Sequence, residues 1–122
     1  MATVLLVEDM QPEAALLAGY LQGEGFLVNR VASAEEARQY LTKQKPDLIV
    51  LDVVLPGESG FEFCRQVKKQ PETAHIPIVI CSSKQGDIDK FWGMKQGASA
   101  YLTKPVDREE LIRTARSLVG RI

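Results

Sequence analysis

The sequence predicts an α/β fold, a doubly wound parallel sheet of five strands with helices on both faces. Three observations predict it. Short β-branched and apolar runs alternate with segments whose apolar residues recur at helical spacing. Runs such as "LIVL" at 48–51 are apolar throughout, as a strand buried on both faces requires. The segments between them open on a proline, a serine or an acid suited to a helix start.

Taken in order, "TVLLV" (3–7) is the first strand. A helix follows over 12–22, with Ala14, Leu17 and Leu21 on one face. Pro12 stands at its first position and Gly23 or Gly25 stops it. "FLVNRVA" (26–32) is the second strand, and Ser33 with Glu36 caps a helix over 34–43 striped by Ala37, Tyr40 and Leu41. "DLIVL" (47–51) is the third strand. Ser59 and Glu62 repeat the capping box before a helix carrying Phe61, Cys64 and Val67. "IPIVICS" (76–82) is the fourth strand, and the helix over 87–96 is interrupted by Gly93 at a cost of roughly 1 kcal/mol against alanine. "SAYLT" (99–103) is the fifth strand. Asp107 and Glu110 open a last helix that runs almost to Ile122 through Leu111, Ala115 and Leu118.

A chain of 122 residues, 45% hydrophobic and 25% charged, fits a single domain over 1–122. The formal net charge of −1 provides no electrostatic footprint for nucleic acid or an anionic membrane. Cys64 and Cys81 lie alone in apolar stretches and read as core residues of a reducing compartment. No run approaches the roughly 20 apolar residues of a membrane span. "MATVLLVED" lacks the charged start of a signal peptide, so the expected location is the cytoplasm.

Asp52 raises a question, because it ends the apolar run 48–51 and an unpaired buried carboxylate costs several kcal/mol. The other strand ends answer it. Glu8 and Asp9 follow the first strand, Ser82 and Ser83 end the fourth, and Thr103 and Lys104 end the fifth. Only the second ends blandly, in Val31 and Ala32. In a parallel sheet these tips share one edge, where ligands bind at the switch in strand order. Three carboxylates, a hydroxyl and an ammonium therefore converge. At about 4 Å and an effective dielectric near 20, each like-charged pair costs on the order of 4 kcal/mol. A hard divalent cation relieves that repulsion most directly, and Mg2+ prefers a few carboxylates, water and a phosphate oxygen. Glu8, Asp9, Asp52 and one lysine thus read as a phosphoryl-transfer site, with Asp52 the exposed nucleophile. The loop "VVLPGESG" turns beside it through Pro56 and Gly57.

The arrangement of "LLVED", "LIVLDVVLPGESG", "IVICSSK" and "AYLTKPV" resembles the receiver domain of bacterial response regulators, the CheY-like superfamily, over about residues 3–119. The resemblance implies a flavodoxin-like (βα)5 fold of strand order 2-1-3-4-5. It makes Asp52 the acceptor of a phosphoryl group from a sensor histidine kinase. Asp9 becomes the direct Mg2+ ligand, Glu8 the acid holding the ion through water, and the Val54 carbonyl the third protein ligand. Ser82 is implied to contact the phosphoryl group by its hydroxyl and Lys104 to pair with a phosphoryl oxygen. The peptide before Pro105 is implied to be cis. Tyr101 is implied to reorient when the hydroxyl residue moves. Glu8 stands where Asp is commoner and Ser82 where Thr is commoner, each keeping its functional group. Val54 and Lys84 occupy positions that tune aspartyl-phosphate lifetime in the family.

The segment "DKFWGMKQGASAYLTKP" is most similar to stand-alone regulators of pilus-based, twitching or phototactic motility. A downstream protein would then read the face formed by the fourth helix, fifth strand and fifth helix, with Trp92 and Tyr101, on a monomer. A phosphate sink for another regulator and a phosphorylation-independent binding module are the alternatives, and the latter usually loses an acid or the lysine. An aspartate-nucleophile phosphatase wants a second acid where Val54 stands. A flavodoxin wants a phosphate loop where "EDMQPE" stands, and a DNA-binding regulator wants a helix-turn-helix beyond the fifth helix. His75, the only histidine, reads as a loop or helix-end residue.

Overall fold

A computed structural model describes residues 1–120. Five strands and five helices alternate along it: β1 Thr3–Val7, α1 Gln11–Gly23, β2 Leu27–Val31, α2 Ala34–Lys43, β3 Leu48–Leu51, α3 Gly60–Lys69, β4 Ile78–Ser82, α4 Asp87–Lys95, β5 Ala100–Thr103 and α5 Arg108–Val119. All strands are parallel and stand in the order β2-β1-β3-β4-β5. The expected doubly wound sheet is therefore present, with its strand order.

Side chains alternate across the sheet and build two cores. On one face Val4, Leu6, Val50 and Cys81 meet Leu17 and Leu21 of α1 and Leu111 and Ala115 of α5. On the other, Leu5, Ile49, Leu51 and Ile80 meet Ala37 and Leu41 of α2 and Phe63, Cys64 and Val67 of α3. Because β1, β3 and β4 lie between these cores, they are apolar along almost their whole length. β2 is an edge strand with Leu27, Asn29 and Arg30 exposed, which explains its polar residues.

Local chemistry sets the helix ends. The Ser33 hydroxyl accepts from the Glu36 amide at 3.1 Å, and the Glu36 carboxylate accepts from the Ala32 amide at 3.0 Å. Asp107 caps α5 through the Glu110 amide at 2.9 Å. The capping box expected of Ser59 and Glu62 does not form. Ser59 accepts instead from the Phe61 amide at 3.0 Å, while the Glu62 carboxylate is drawn to Arg65 and Gln66, each at 3.2 Å. Helix α1 starts at Gln11, so Pro12 occupies the second position, still in the turn that needs no amide donor. Strand β4 begins at Ile78 rather than 76, and β2 excludes Phe26, although Phe26 and Ile76 are both buried. The expected run of α5 toward Ile122 stops at Val119; residues 121–122 lie outside the described residues.

Helix α4 packs differently. Gly93 is its only buried residue, and a Cβ there would lie 2.8 Å from the Tyr101 ring and 3.0 Å from Ile80 Cδ1. The missing side chain lets the helix backbone rest on β4 and β5. Outside, Ile88, Phe91, Trp92 and Met94 are exposed.

Candidate functional site

The order of strands reverses between β1 and β3, so the crevice at their C-terminal ends is the switch point. Backbone bonds carry the sheet one residue beyond the strands there. The Glu8 amide donates to Val31 O at 3.0 Å, the Asp52 amide to Val7 O at 3.0 Å and the Lys104 amide to Ser82 O at 2.9 Å. Glu8, Asp52 and Lys104 thus stand at the ends of ladders rather than in free loops.

The side chains converge. Lys104 Nζ donates to Glu8 Oε1 at 2.6 Å and to Asp52 Oδ2 at 3.3 Å, and lies 3.9 Å from Glu13. Glu8 and Asp52 are buried, with relative exposures of 1% and 6%. Asp52 is thus not exposed at the strand tip as the sequence suggested but is covered by its ion-pair partner Lys104 and the Val54 amide. Asp52 Oδ1 accepts from the Val54 amide at 3.1 Å, and Glu8 Oε2 from the Met10 amide at 3.2 Å. Burial pushes the Glu8 carboxyl above its ordinary pKa; Lys104 opposes that shift and the charge of Asp52 adds to it. Burial would lower Lys104, but its hydrogen bond to Glu8 and the charges of Asp52 and Glu8 outweigh this and hold it above the ordinary lysine value.

One atom is left over. Asp9 Oδ1 is buried without a hydrogen-bond partner among the described residues, an arrangement that costs free energy unless something charged meets it. Glu8, Asp9 and Asp52 each offer a carboxylate oxygen, and these oxygens lie within 4.8 Å of one another. A set of hard oxygen donors, two buried and one half-buried, with one orphan fits a divalent cation of the Mg2+ class. The group opens into a cleft of about 480 Å³ lined by Asp9, Glu13, Asp52, Val54, Ser83 and Lys104. A second hollow of about 390 Å³ lies between α2 and α3 above Phe63. There the Arg38 guanidinium is taken up by Glu58 and Gln66.

The remaining residues fall around this centre. Ser82 is fully buried, and its hydroxyl accepts from the Lys84 amide at 3.2 Å; Ser83 is the serine that lines the cleft. The Tyr101 hydroxyl donates to Lys84 O at 2.5 Å. Trp92 is half exposed on α4, outside the acidic centre. The Lys104–Pro105 peptide is cis. Cys64 and Cys81 are buried, and burial pushes their thiols up to about 11 and about 12, which leaves both protonated. His75 is exposed in the turn before β4.

Two supporting residues were not legible as such. A Cβ on Gly60 would sit 2.3 Å from Asp52 O and 2.6 Å from Val53 Cα, so only glycine lets α3 start against this backbone. Its amide donates to Val53 O at 3.0 Å. Arg30, on β2, donates to the carbonyls of Glu8 at 2.9 Å and Asp9 at 3.1 Å. For Gly60 the available hint was a glycine eight residues past the strand-end acid. For Arg30 there was none.

Comparison with known proteins agrees with this geometry. The family described as response regulator receiver domain matches residues 4–116. The chain is 38% identical over 120 residues to Protein PilH of Pseudomonas aeruginosa, covering 98% of this chain and 99% of PilH. It is 38% identical over 117 residues to Response regulator PleD of Caulobacter vibrioides, covering 96% of this chain but 26% of PleD. The crystal structure of the receiver domain of sensor histidine kinase PA1611 from Pseudomonas aeruginosa superposes with a TM-score of 0.90 at 28% identity, covering 98% of each chain; that structure has a magnesium ion coordinated in its active-site cleft.

Proposed function

The chain belongs to the response regulator receiver domain family of two-component systems, and from that premise we propose that Asp52 accepts a phosphoryl group from the phosphohistidine of a sensor histidine kinase. The observation that carries this reading is the meeting of Glu8, Asp9, Asp52 and Lys104 at the β1/β3 switch point, with one carboxylate oxygen unsatisfied. In the transfer, an Asp52 carboxylate oxygen forms the O–P bond as the N–P bond breaks, and the imidazole leaves with the electron pair. Lys104 already bridges Glu8 and Asp52, and its ammonium is available to a phosphoryl oxygen on Asp52. Glu8 and Asp9, with Asp52 and the Val54 carbonyl, would hold Mg2+, which when bound neutralises charge on the phosphoryl oxygens.

Output follows through neighbours. A phosphoryl group carries about −1.5 to −2 charge and would draw the Ser82 hydroxyl toward it. Lys84 links Ser82 to Tyr101 by hydrogen bonds at 3.2 Å and 2.5 Å, so a shift of Ser82 is passed to the face of α4, β5 and α5. The exposed Trp92 and its apolar neighbours offer that face to a downstream protein. The chain acts as a single domain over 1–122 and modifies only itself. The overlap with PilH along nearly both chains supports a place among regulators of pilus-based motility.

The test is intact-mass measurement after incubation with acetyl phosphate and Mg2+. The wild type should gain one phosphoryl adduct and Asp52→Asn none. The same adduct on the Asn variant would remove Asp52 from the proposed role.

A further inference from the structure

Arg30 stands near the end of the exposed edge strand β2, where a basic side chain would ordinarily be solvated. Instead its guanidinium is spent on one short segment. Nε donates to Glu8 O at 2.9 Å, Nη2 to Asp9 O at 3.1 Å and Nη1 to Gln11 Oε1 at 3.3 Å. Two of these acceptors are the backbone carbonyls of the two acids that follow β1. The planar fork fixes both carbonyls at once, which a lysine ammonium could not do with the same geometry.

The segment needs such a hold. Met10, which precedes α1, makes no side-chain capping bond, and Asp9 Oδ1 is bonded to nothing. Asp9 is therefore oriented through its backbone more than through its carboxylate. We propose that Arg30 is a positioning residue for cation binding, clamping the Glu8 and Asp9 carbonyls so that their carboxylates are held ready for a divalent ion. This deepens the reading of the acidic site and rests on it.

Two effects of Arg30 oppose each other, and their sign separates the possibilities. A fixed positive charge near the site repels a cation, so removing it should tighten Mg2+ binding if charge were its main influence. Ordering of the ligands works the other way; partners bonded directly to ligating groups typically carry about 10–100-fold in metal affinity, and a clamp on the ligands' backbone belongs at the low end of that range.

The experiment compares wild type, Arg30→Gln and Arg30→Lys. Mg2+ affinity is measured by calorimetry, and amide hydrogen exchange at Met10 is measured on metal-free protein. The Met10 amide donates to Glu8 Oε2 and so reports directly on the clamp. Arg30→Gln should bind Mg2+ about tenfold more weakly, with faster exchange at the Met10 amide. Arg30→Lys, which keeps the charge and loses the fork, should also bind more weakly than wild type. Saturating Mg2+ should restore labelling of Asp52 by acetyl phosphate in both. Arg30→Gln binding as tightly as wild type, or more tightly, would overturn the proposal while leaving the site reading intact. Failure of the wild type to bind Mg2+ would overturn both.

Discussion

Gly60 gives the sharpest test of how the fold holds Asp52. Replacing it with alanine places a Cβ 2.3 Å from Asp52 O and 2.6 Å from Val53 Cα. Ordinary contact begins near 3.4 Å, so the start of α3 and the Asp52–Val53 backbone must separate by about 1 Å. Both sides are backbone, one fixed by the Asp52 amide bond to Val7 O and the other by the Gly60 amide bond to Val53 O. Neither can yield by rotating a side chain. Overpacking of this kind costs typically 1–3 kcal/mol, and a backbone clash belongs at the upper end. With an unfolding entropy of roughly 2.1 cal/mol/K per residue, each kcal/mol moves the midpoint of a 122-residue domain by about 4 °C. Gly60→Ala should therefore melt roughly 8–12 °C below wild type. Gly19→Ala is the matched control, because Gly19 lies within α1 and a Cβ there meets nothing within 4 Å. It should gain up to about 1 kcal/mol, or about 4 °C. Calorimetric melting of the metal-free proteins reads both. A Gly60→Ala midpoint within about 2 °C of wild type would refute the argument that this contact fixes the loop after β3.

Three further outcomes follow from the same geometry. Asp9→Ala should weaken Mg2+ binding more than Glu8→Ala, because Asp9 carries the unsatisfied oxygen while Glu8 is already paired with Lys104; equal affinities by calorimetry would contradict this. Glu8 has a pKa raised above 4.5 in the fold, so the native state holds its proton more tightly than the unfolded chain does. Metal-free protein should accordingly lose stability as pH rises from about 4.5 through the raised value, and Glu8→Gln should flatten that slope in urea melts across the window. Trp92→Ala or Tyr101→Ala should impair binding of a partner recovered with phosphorylated protein, while labelling of Asp52 stays near the wild-type level. Undiminished binding by both variants would move the output surface off the α4–β5–α5 face.

How much could be read in the sequence depended on how strongly burial constrains each element. Strands β1, β3 and β4 lie between two cores, so nearly every position must be apolar and their runs stand out. The acids that end two of them stand out for the same reason, since a carboxylate immediately after such a run must be justified by the site it faces. β2 was harder to delimit because an edge strand has no such demand. Phe26 is buried yet lies outside it, while Asn29 and Arg30 belong to it and face solvent. The clamp made by Arg30 was invisible because it joins a side chain to carbonyls 22 and 21 residues earlier. No local pattern encodes a bond whose acceptors are main-chain atoms brought close only by the pairing of β1 with β2.

Gly93 shows why a correct local rule can still mislead about purpose. By propensity it weakens α4, and an alanine in an open helix would add about 1 kcal/mol. In the folded chain the position faces the Tyr101 ring at 2.8 Å and Ile80 at 3.0 Å from where a Cβ would stand. Its absent side chain is thus what allows the helix to approach the sheet closely enough to cover β5. Closeness comes without depth, because no other residue of α4 is buried. With only Gly93 buried, the helix leaves Ile88, Phe91, Trp92 and Met94 turned outward. The same substitution that would steady the isolated helix would therefore push it away from Tyr101, the residue that ties this face to Lys84 and the Ser82 strand tip.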